Sequence, residues 1–195
     1  MHNPLVMNTS SVHGILLAAG AGSRFGGGKL THMLDGVAIG VRSARNLIAA
    51  DLKVTAVVRF GSDELSRLLE AEGCVVSECA RAEDGMGFSL AHAIGQTPDA
   101  AGWVVALADM PRIRSATIRL VMEQLALGAL IVAPSYHGER GHPVGLSGRL
   151  RNELLALTGD EGARHVVKRH LKDVVMIEVD DPGVLFDIDR REDIA

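Results

Sequence analysis

A chain of 195 residues with 47% hydrophobic residues is long enough to bury one substantial core. Its formal net charge of -4 at pH 7 provides no basic field for a nucleic acid or an anionic membrane surface, so neither is an expected partner. Because only 3% of the residues are aromatic, the composition disfavours stacking platforms for bases and favours parallel strands covered by helices.

The beginning of the chain predicts a disordered tail over residues 1–12, followed by a single domain over residues 13–195. The first thirteen residues contain no Lys or Arg, and the apolar run that follows is interrupted at Gly20 and Gly22. This run is too short for a signal peptide or a membrane span. A cytoplasmic location is therefore predicted.

Short apolar runs alternate with helical patterns along the whole chain. The runs that predict strands are Gly14 to Ala18, Val54 to Val58, Val75 to Val76, Trp103 to Ala108, Leu130 to Ala133 and Val174 to Val179. Between them, apolar residues share one helical face after Ser62, which is predicted to cap the helix, and another after Ser115, which is predicted to do the same. This alternation predicts an α/β fold with a mainly parallel sheet and ligands at the carboxyl ends of the strands.

The third predicted strand lies between Cys74 and Cys79. These two residues have no further thiol or nearby histidine at the spacing of a metal site. A buried and reduced pair is therefore expected.

Leu16 to Lys29 reads LLAAGAGSRFGGGK, a buried strand that turns into a loop with five glycines. Glycines allow backbone N–H groups to approach phosphate oxygens, and Arg24 and Lys29 could neutralise the phosphate charge. A plain glycine-rich turn is the alternative. The spacing matches neither GxxxxGK[ST], because Leu30 follows Lys29, nor GxGxxG with an acidic residue about twenty positions later.

Val104 to Pro111 reads VVALADMP, an apolar strand that ends in an acid. Since Pro111 favours extended backbone in the residue before it, Asp109 is expected to hold its carboxylate over the crevice at the sheet edge. A hard cation such as Mg²⁺ prefers such oxygens. Asp is also common where strands end in turns, so a purely structural role is the alternative.

Near the other end, Asp187 to Asp193 reads DIDRRED, which by itself could be a solvated charged segment. Arg140 and His142 lie in the glycine-rich stretch GERGHPVG and suit an anionic ligand. Asp160 could belong to a site or could cap the helix that carries Val166, Val167 and Leu171, and the sequence does not decide between them.

Together these segments resemble the signatures of the MobA-like nucleotidyltransferases, and most closely those of the molybdenum-cofactor cytidylyltransferases. The resemblance rests on LAAGxGSRxGxxK in the glycine loop, LADMP around Asp109, GMGxSL at Gly85 to Leu90 and RGHPV at Arg140 to Val144. The DIDRRED segment is similar to DIDTPED, with Arg190 and Arg191 in place of Thr and Pro. The resemblance implies a three-layer α/β/α Rossmann-like nucleotidyltransferase fold.

The resemblance also implies roles for individual residues. The implied nucleotide-binding residues are Leu17, Ala18, Ala19, Gly20, Gly22, Ser23, Arg24, Lys29, Gly85 and Ser89. The implied catalytic residues are Arg24, Lys29 and Asp109, the implied metal ligands are Asp109 and Asp189, and the implied acceptor-binding residues are Arg140 and His142. Asp187 is an alternative carboxylate for the metal.

The implied reaction transfers CMP from CTP to the phosphate of molybdopterin, with Mg²⁺ or alternatively Mn²⁺ and with release of pyrophosphate. CTP is favoured because Ala19 gives the sequence LAAG, whereas family members that use GTP tend to read LAGG. The alternatives are a guanylyltransferase of the same family and a non-catalytic carrier that passes the cofactor to a molybdoenzyme. The segments KLTHML and DIDRRED depart from the family pattern and would favour the carrier, whereas Arg24, Lys29 and Asp109 favour catalysis.

Overall fold

The computed structural model describes residues 12–194. Val12 belongs to the first strand rather than to a tail, and the other residues predicted as a disordered tail lie outside the described residues. The strands are β1 (Val12–Ala18), β2 (Met33–Leu34), β3 (Val37–Ala38), β4 (Val54–Arg59), β5 (Val75–Cys79), β6 (Gly102–Leu107), β7 (Ile131–Tyr136), β8 (Glu139–Arg140), β9 (Val144–Ser147) and β10 (Val174–Glu178).

The α-helices lie between these strands. They are α1 (Ile39–Ile48), α2 (Asp63–Ala71), α3 (Met86–Gln96), α4 (Ser115–Ala126), α5 (Arg151–Leu155) and α6 (Arg164–Arg169). Short 3-10 turns complete the connections, and three of them, Ser23–Phe25, Ala82–Asp84 and Arg191–Ile194, lie near the site described below. None of the helices described within residues 12–194 is long and apolar enough to cross a membrane.

The main sheet has the strand order β10-β7-β9-β6-β1-β4-β5, and β8 pairs with β7. The neighbours of β1, which are β4 and β6, are parallel to it, as are β5 to β4 and β10 to β7. Among the described strands of this sheet, every antiparallel pair involves β8 or β9: β9 pairs with β6 and β7, and β8 pairs with β7. The sheet is therefore mainly parallel, which confirms the prediction.

Both faces of the sheet are covered by helices, because apolar residues in β1 point alternately to its two sides. Leu16 packs in a core cluster with Leu47 of α1, Leu69 of α2 and Ile118 of α4. Its neighbours Ile15 and Leu17 belong to a second cluster, whose helical members include Leu90 and Ile94 of α3, Leu154 of α5 and Val166 of α6. The result is the predicted three-layer α/β/α arrangement.

Two local predictions differ from the structure. The short strand β9 was not predicted, and it inserts in the antiparallel sense between β6 and β7, with Val144 opposite Val105. Ser115 is the first residue of α4 rather than its cap. The burial expected for the cysteines is confirmed, since Cys74 and Cys79 are both buried, and neither belongs to a disulfide.

Candidate active site

A cleft with a volume of about 330 Å³ lies at the carboxyl ends of the parallel strands. It is bounded by the segment after β1, by Arg59 at the end of β4, by Asp109 after β6 and by the beginning of α3. In an open parallel sheet this edge, where the strand order reverses around β1, is the usual place for a ligand. The predicted residues Leu17, Ala19, Gly20, Lys29, Gly85 and Ser89 all line it.

The glycine loop after β1 folds back on itself so that Lys29 lies beside Gly22. Gly22 and Gly28 have φ angles of 59° and 63°, in the left-handed region that glycine adopts without strain. A Cβ atom at Gly22 would lie 3.1 Å from the Cβ of Lys29. Phe25 is buried and packs edge-on against His32 at 5.3 Å between ring centroids, which anchors the loop.

Charged residues from three distant segments meet at one end of this cleft. Lys29, only 8% exposed, donates a hydrogen bond of 2.7 Å from Nζ to Oδ2 of Asp109, and its Nζ lies 3.9 Å from Oδ1 of Asp189. The guanidinium of Arg24 forms an ion pair with Oδ2 of Asp189. The hydrogen bond and charge of that carboxylate raise the pKa of Arg24 above its usual value.

Helix α1 and the sheet hold the Asp109 segment in place. Ser43 of α1 donates a hydrogen bond of 2.8 Å to the carbonyl of Ala108, and Asn46 donates one of 3.0 Å to the carbonyl of Pro111. These two contacts fix the backbone on both sides of Asp109. Its carboxylate is therefore presented to Lys29 by a rigid element rather than by a free loop.

The segment after β10 carries Asp189 to the same place. The amide of Ile188 donates to the carbonyl of Asp109 at 2.9 Å, so the two segments are in direct contact. Asp193 accepts hydrogen bonds from the amides of Arg190 and Asp189, which lower its pKa below the usual value. By contrast, Asp187 is exposed and forms no ion pair with Lys29 among the described residues, although its charge contributes to the raised pKa of Arg24.

Asp109 and Asp189 have the donor atoms that a magnesium ion requires. Both carboxylates face the same ammonium group, and Mg²⁺ is commonly bound through one or two carboxylates together with substrate phosphates and water. No group of three or more metal-binding side chains occurs among residues 12–194. The two carboxylates thus fit a metal that is held jointly with a phosphorylated ligand.

The wall of the cleft opposite Lys29 is formed where α3 begins. The amide of Gly87 donates to the carbonyl of Gly159 at 2.7 Å, which draws Asp160 to the cleft. Helix α6 begins at Arg164 with Ala163 in the capping position, so Asp160 does not cap it. Of the two alternatives left open by the sequence, the structure therefore favours a place for Asp160 in the site.

A second cavity of about 310 Å³ adjoins the first, and Leu17, Met86, Leu107 and Asp160 line both. Arg140 and His142 lie in the second cavity, whose lining combines apolar residues such as Leu90, Val105 and Val144 with the charged residues Asp160, Glu161 and Arg164. The Nδ1 atom of His142 is buried without a hydrogen-bond partner among the described residues. Burial, reinforced by the charge of Arg140 and opposed by that of Asp109, lowers the pKa of His142 to about 4.

The remaining predicted residues lie on the other side of the glycine loop or within it. Ala18 and Gly22 line a third cavity of about 290 Å³, which also contacts Gly20 and Lys29. Ser23 lies in the 3-10 turn of the loop and lines none of these three cavities. Arg24 lies in the same turn, with its side chain exposed toward Asp189.

Sequence reasoning overlooked Arg59 and Glu83. Both line the cleft, although neither belongs to a motif that the sequence made prominent. A signal for Arg59 was present, because it follows the buried run Val54 to Val58 directly, just as Asp109 follows the run that ends at Ala108. No comparable signal marks Glu83, whose place depends on where β5 ends.

The sequence is similar to those of known proteins. The model of a family described as the MobA-like NTP transferase domain matches residues 14–174. The chain is 28% identical over 202 residues to the purine catabolism protein PucB of Bacillus subtilis (strain 168), and the match covers 96% of each chain.

Solved structures show the same fold. Rv0371c from Mycobacterium tuberculosis H37Rv matches with a TM-score of 0.80 at 24% identity, over 94% of this chain and 95% of that one. The complex of Rv0371c with manganese matches with a TM-score of 0.76 over the same shares of the two chains. A nucleotidyl transferase from Methanothermobacter thermautotroptrophicus (Mth528) matches with a TM-score of 0.81 at 20% identity, over 94% of each chain.

Proposed function

Since the chain belongs to the MobA-like NTP transferase family and is a nucleotidyltransferase, we propose that it transfers CMP from CTP to the phosphate of molybdopterin and releases pyrophosphate. The observation that carries the proposal is the position of Lys29 between Asp109 and Asp189, at the end of the glycine loop. This arrangement offers cationic side chains that can bind a triphosphate, and it also offers carboxylates that can bind a metal ion.

The phosphates of the nucleotide bind to the glycine loop. Arg24 and Lys29 exchange their carboxylate partners for phosphate oxygens, and backbone N–H groups of the loop add further donors. An oxygen of the acceptor phosphate forms a bond with the α-phosphorus, the bond between that phosphorus and the bridging oxygen breaks, and pyrophosphate leaves. Charge neutralisation by Arg24 and Lys29 and their fixed positions lower the barrier.

Asp109 and Asp189 would hold the divalent metal, for which we propose Mg²⁺, with Mn²⁺ as an alternative. When bound, such an ion supplies charge neutralisation at the phosphates and helps to orient them. The manganese complex of Rv0371c, which has the same fold, supports a divalent ion in proteins of this kind. Lys29 donates to one oxygen of Asp109, and a carboxylate has lone pairs on both oxygens, so Asp109 can hold the metal while Lys29 turns toward the phosphates.

The acceptor binds in the second cavity. Arg140 provides a cation for its phosphate, and the apolar wall that includes Leu90 and Val144 can cover a ring system. His142 remains neutral near pH 7 because burial lowers its pKa to about 4, so Nδ1 can form a neutral hydrogen bond with the acceptor. A molybdoenzyme that receives the product is the proposed protein partner, and the proposed location is the cytoplasm.

The test is pyrophosphate release from CTP, GTP and ATP with Mg²⁺ and isolated molybdenum cofactor as acceptor. We expect release with CTP, and a decrease of roughly 100-fold or more in Asp109→Asn because the metal loses one carboxylate ligand. Asp99→Asn, at an exposed position away from the cleft, is the matched control and should retain the parent rate.

The other outcomes separate the alternatives. Release with GTP in preference to CTP would identify a guanylyltransferase. Nucleotide binding without release from any nucleotide would contradict the enzymatic proposal and favour a carrier of nucleotide or cofactor. Unfolding of the parent and of Asp109→Asn at the same temperature would show that the loss of activity is not a loss of structure.

A further inference from the structure

The cleft has two chemically different ends, and the strand order sets the distance between them. Asp109 follows β6, the glycine loop follows β1, Arg59 ends β4, and Glu83 lies in the 3-10 turn just after β5. Adjacent strands lie about 4.8 Å apart, so the backbone of Arg59 is displaced from that of Asp109 by two strand spacings, or about 10 Å. A nucleotide with its phosphates at Lys29 can therefore extend toward Arg59.

The second cavity is lined by Leu107 at the end of β6 and by Val144 of β9, so in the strand order it lies on the opposite side of β1 from Arg59 at the end of β4. It contains Arg140 and His142, which the proposed function assigns to the acceptor. If the acceptor occupies that cavity, the nucleoside has to lie along the first cleft. Arg59 and Glu83, together with Ala19 and Gly85, line that cleft.

The protein orients the side chain of Arg59 but does not satisfy all of its hydrogen-bond donors. Its Nη2 donates to the carbonyl of Ala19 over a long distance of 3.4 Å, and its Nη1 lies 3.7 Å from Oε1 of Glu83. Its Nε is buried without a hydrogen-bond partner among residues 12–194. A buried donor that lacks a partner is costly, and a ligand with adjacent acceptor atoms would relieve that cost.

The guanidinium and the carboxylate together match one edge of cytosine. Cytosine presents two neighbouring acceptors, O2 and N3, followed by the donor amino group at C4. The fork of Arg59 can donate to the two acceptors, while Glu83 can accept from the amino group. Uracil has an N–H group at position 3 and a carbonyl at position 4. Its N–H group would therefore face the N–H donors of Arg59, and its carbonyl oxygen would face the carboxylate of Glu83.

We propose that Arg59 and Glu83 read the base of the nucleotide and select cytosine over uracil. The proposal rests on the proposed function, because the place of the triphosphate at Lys29 fixes the direction in which the base extends. Arg59 also lines the third cavity beside Gly22 and Lys29, so the competing role for it is the binding of phosphate. The two roles predict different effects on different ligands.

The experiment measures dissociation constants by calorimetry for the full chain with Mg²⁺ and the α,β-methylene analogues of CTP, UTP and GTP, and with inorganic pyrophosphate. The parent is compared with Arg59→Met and Glu83→Gln. Arg67→Met, at an exposed position of α2, is the matched control. We expect the parent to bind the CTP analogue about tenfold or more tightly than the UTP analogue.

In Glu83→Gln the preference for CTP over UTP should fall about tenfold, because the amide can donate to the carbonyl at position 4 of uracil. In Arg59→Met the preference should disappear, while the affinity for pyrophosphate stays within twofold of the parent. Equal weakening of all analogues and of pyrophosphate by Arg59→Met would overturn the proposal in favour of a phosphate site. Unchanged base preference in both variants would also overturn it.

The same measurements separate this proposal from the proposed function. A parent preference for GTP that both variants abolish would overturn the cytosine assignment while supporting the base-reading role of Arg59 and Glu83. Loss of CTP preference in the variants of a chain that releases no pyrophosphate would support base reading and contradict the enzymatic proposal. Because binding is measured with analogues that are not cleaved at the α,β position, neither result depends on turnover.

Discussion

The ammonium group of Lys29 lies where a metal ion and a triphosphate would both act. It donates to Asp109 at 2.7 Å and lies 3.9 Å from Asp189, so its positive charge faces both carboxylates. A divalent cation at these carboxylates would compete with the charge of Lys29, whereas phosphate would give Lys29 another partner. We therefore expect nucleotide binding to strengthen metal binding, and the reverse.

Lys29→Met tests this coupling, because the substitution removes the charge and keeps most of the side-chain length. Affinity for Mn²⁺ without nucleotide should rise several-fold, since the carboxylates lose their competitor. Affinity for the CTP analogue should fall, about tenfold, since the triphosphate loses a cationic partner. Titration of free Mn²⁺ by electron paramagnetic resonance, with and without nucleotide, measures both effects.

Lys172→Met, at an exposed position after α6, is the matched control and should change neither affinity. Weaker Mn²⁺ binding by Lys29→Met in the absence of nucleotide would contradict the competition. That result would mean that Lys29 mainly holds Asp109 in position for the metal.

His142 gives the stability of the protein a specific dependence on pH. Its pKa in the folded chain is lowered to about 4, from an ordinary value near 6.5. Below pH 6.5, His142 binds a proton in the unfolded chain, whereas in the folded chain it binds one only near pH 4. The stability associated with neutral His142 is therefore present above pH 6.5 and is lost as the pH falls toward 4.

His142→Gln should remove this part of the pH dependence. The free energy of unfolding of the parent should decrease more steeply between pH 6.5 and 4 than that of the variant, as measured by urea denaturation in the presence of a metal chelator. His165→Gln, at a mostly exposed position, should follow the parent curve. Parallel curves for the parent and His142→Gln would show that His142 is not held neutral by burial.

At the scale of single elements, the beginning of α3 depends on the absence of side chains. A Cβ atom at Gly87 would lie 2.6 Å from the carbonyl oxygen of Thr158, a distance that requires the backbone to move. Gly95 in the same helix is different, because a Cβ there would lie 3.9 Å from Leu155, an ordinary contact. One helix therefore contains one glycine with a packing function and one without.

Gly87→Ala should destabilise the protein and displace the loop that carries Asp160, so affinity for nucleotide should fall as well. Gly95→Ala should leave nucleotide affinity unchanged and stabilise the protein by about 0.5–1 kcal/mol, because alanine favours a helix over glycine. Urea unfolding and calorimetry measure the two effects. Equal effects of the two substitutions on nucleotide affinity would contradict the contact between α3 and the 158–160 loop.

At the scale of the whole molecule, Asp181 joins the C-terminal segment to the centre of the fold. It is 2% exposed, and its Oδ2 accepts hydrogen bonds from the amide of Arg114 at 2.9 Å and from the hydroxyl of Thr117 at 2.6 Å. Its Oδ1 accepts a third hydrogen bond from the amide of Gly183 at 3.1 Å. The segment fixed in this way leads directly to Asp189.

Asp181→Ala should lower the free energy of unfolding by about 3 kcal/mol, because it leaves buried donors without a partner. Amide hydrogen exchange over residues 182–194 should accelerate, and Mn²⁺ affinity should fall as Asp189 loses its fixed position. Asp180→Ala, in which an exposed carboxylate is removed next to Asp181, is the matched control. Unchanged exchange in the C-terminal segment of Asp181→Ala would contradict this role.

Site residues whose position is revealed by their neighbours in the chain could be predicted from the sequence, whereas those whose position depends on contacts between distant segments could not. The glycine loop and Asp109 were found because each directly follows a buried strand, a pattern that neighbouring residues reveal. The family resemblance added Asp189, Arg140 and His142. Arg59, Glu83 and the place of Asp160 were not found, because their positions depend on how separate strands and loops pack.

Local patterns in the chain predicted the alternation of strands and helices, the α/β fold and the glycine loop after β1, and the resemblance of several short motifs predicted the family. These features follow from local periodicity and from residues that are close in the chain. Only the tertiary structure decided that Lys29 lies between Asp109 and Asp189, that β9 inserts between β6 and β7, and that Arg59 faces Glu83. Such contacts join residues far apart in sequence, and the packing of the sheet edge, not local preference, brings them together.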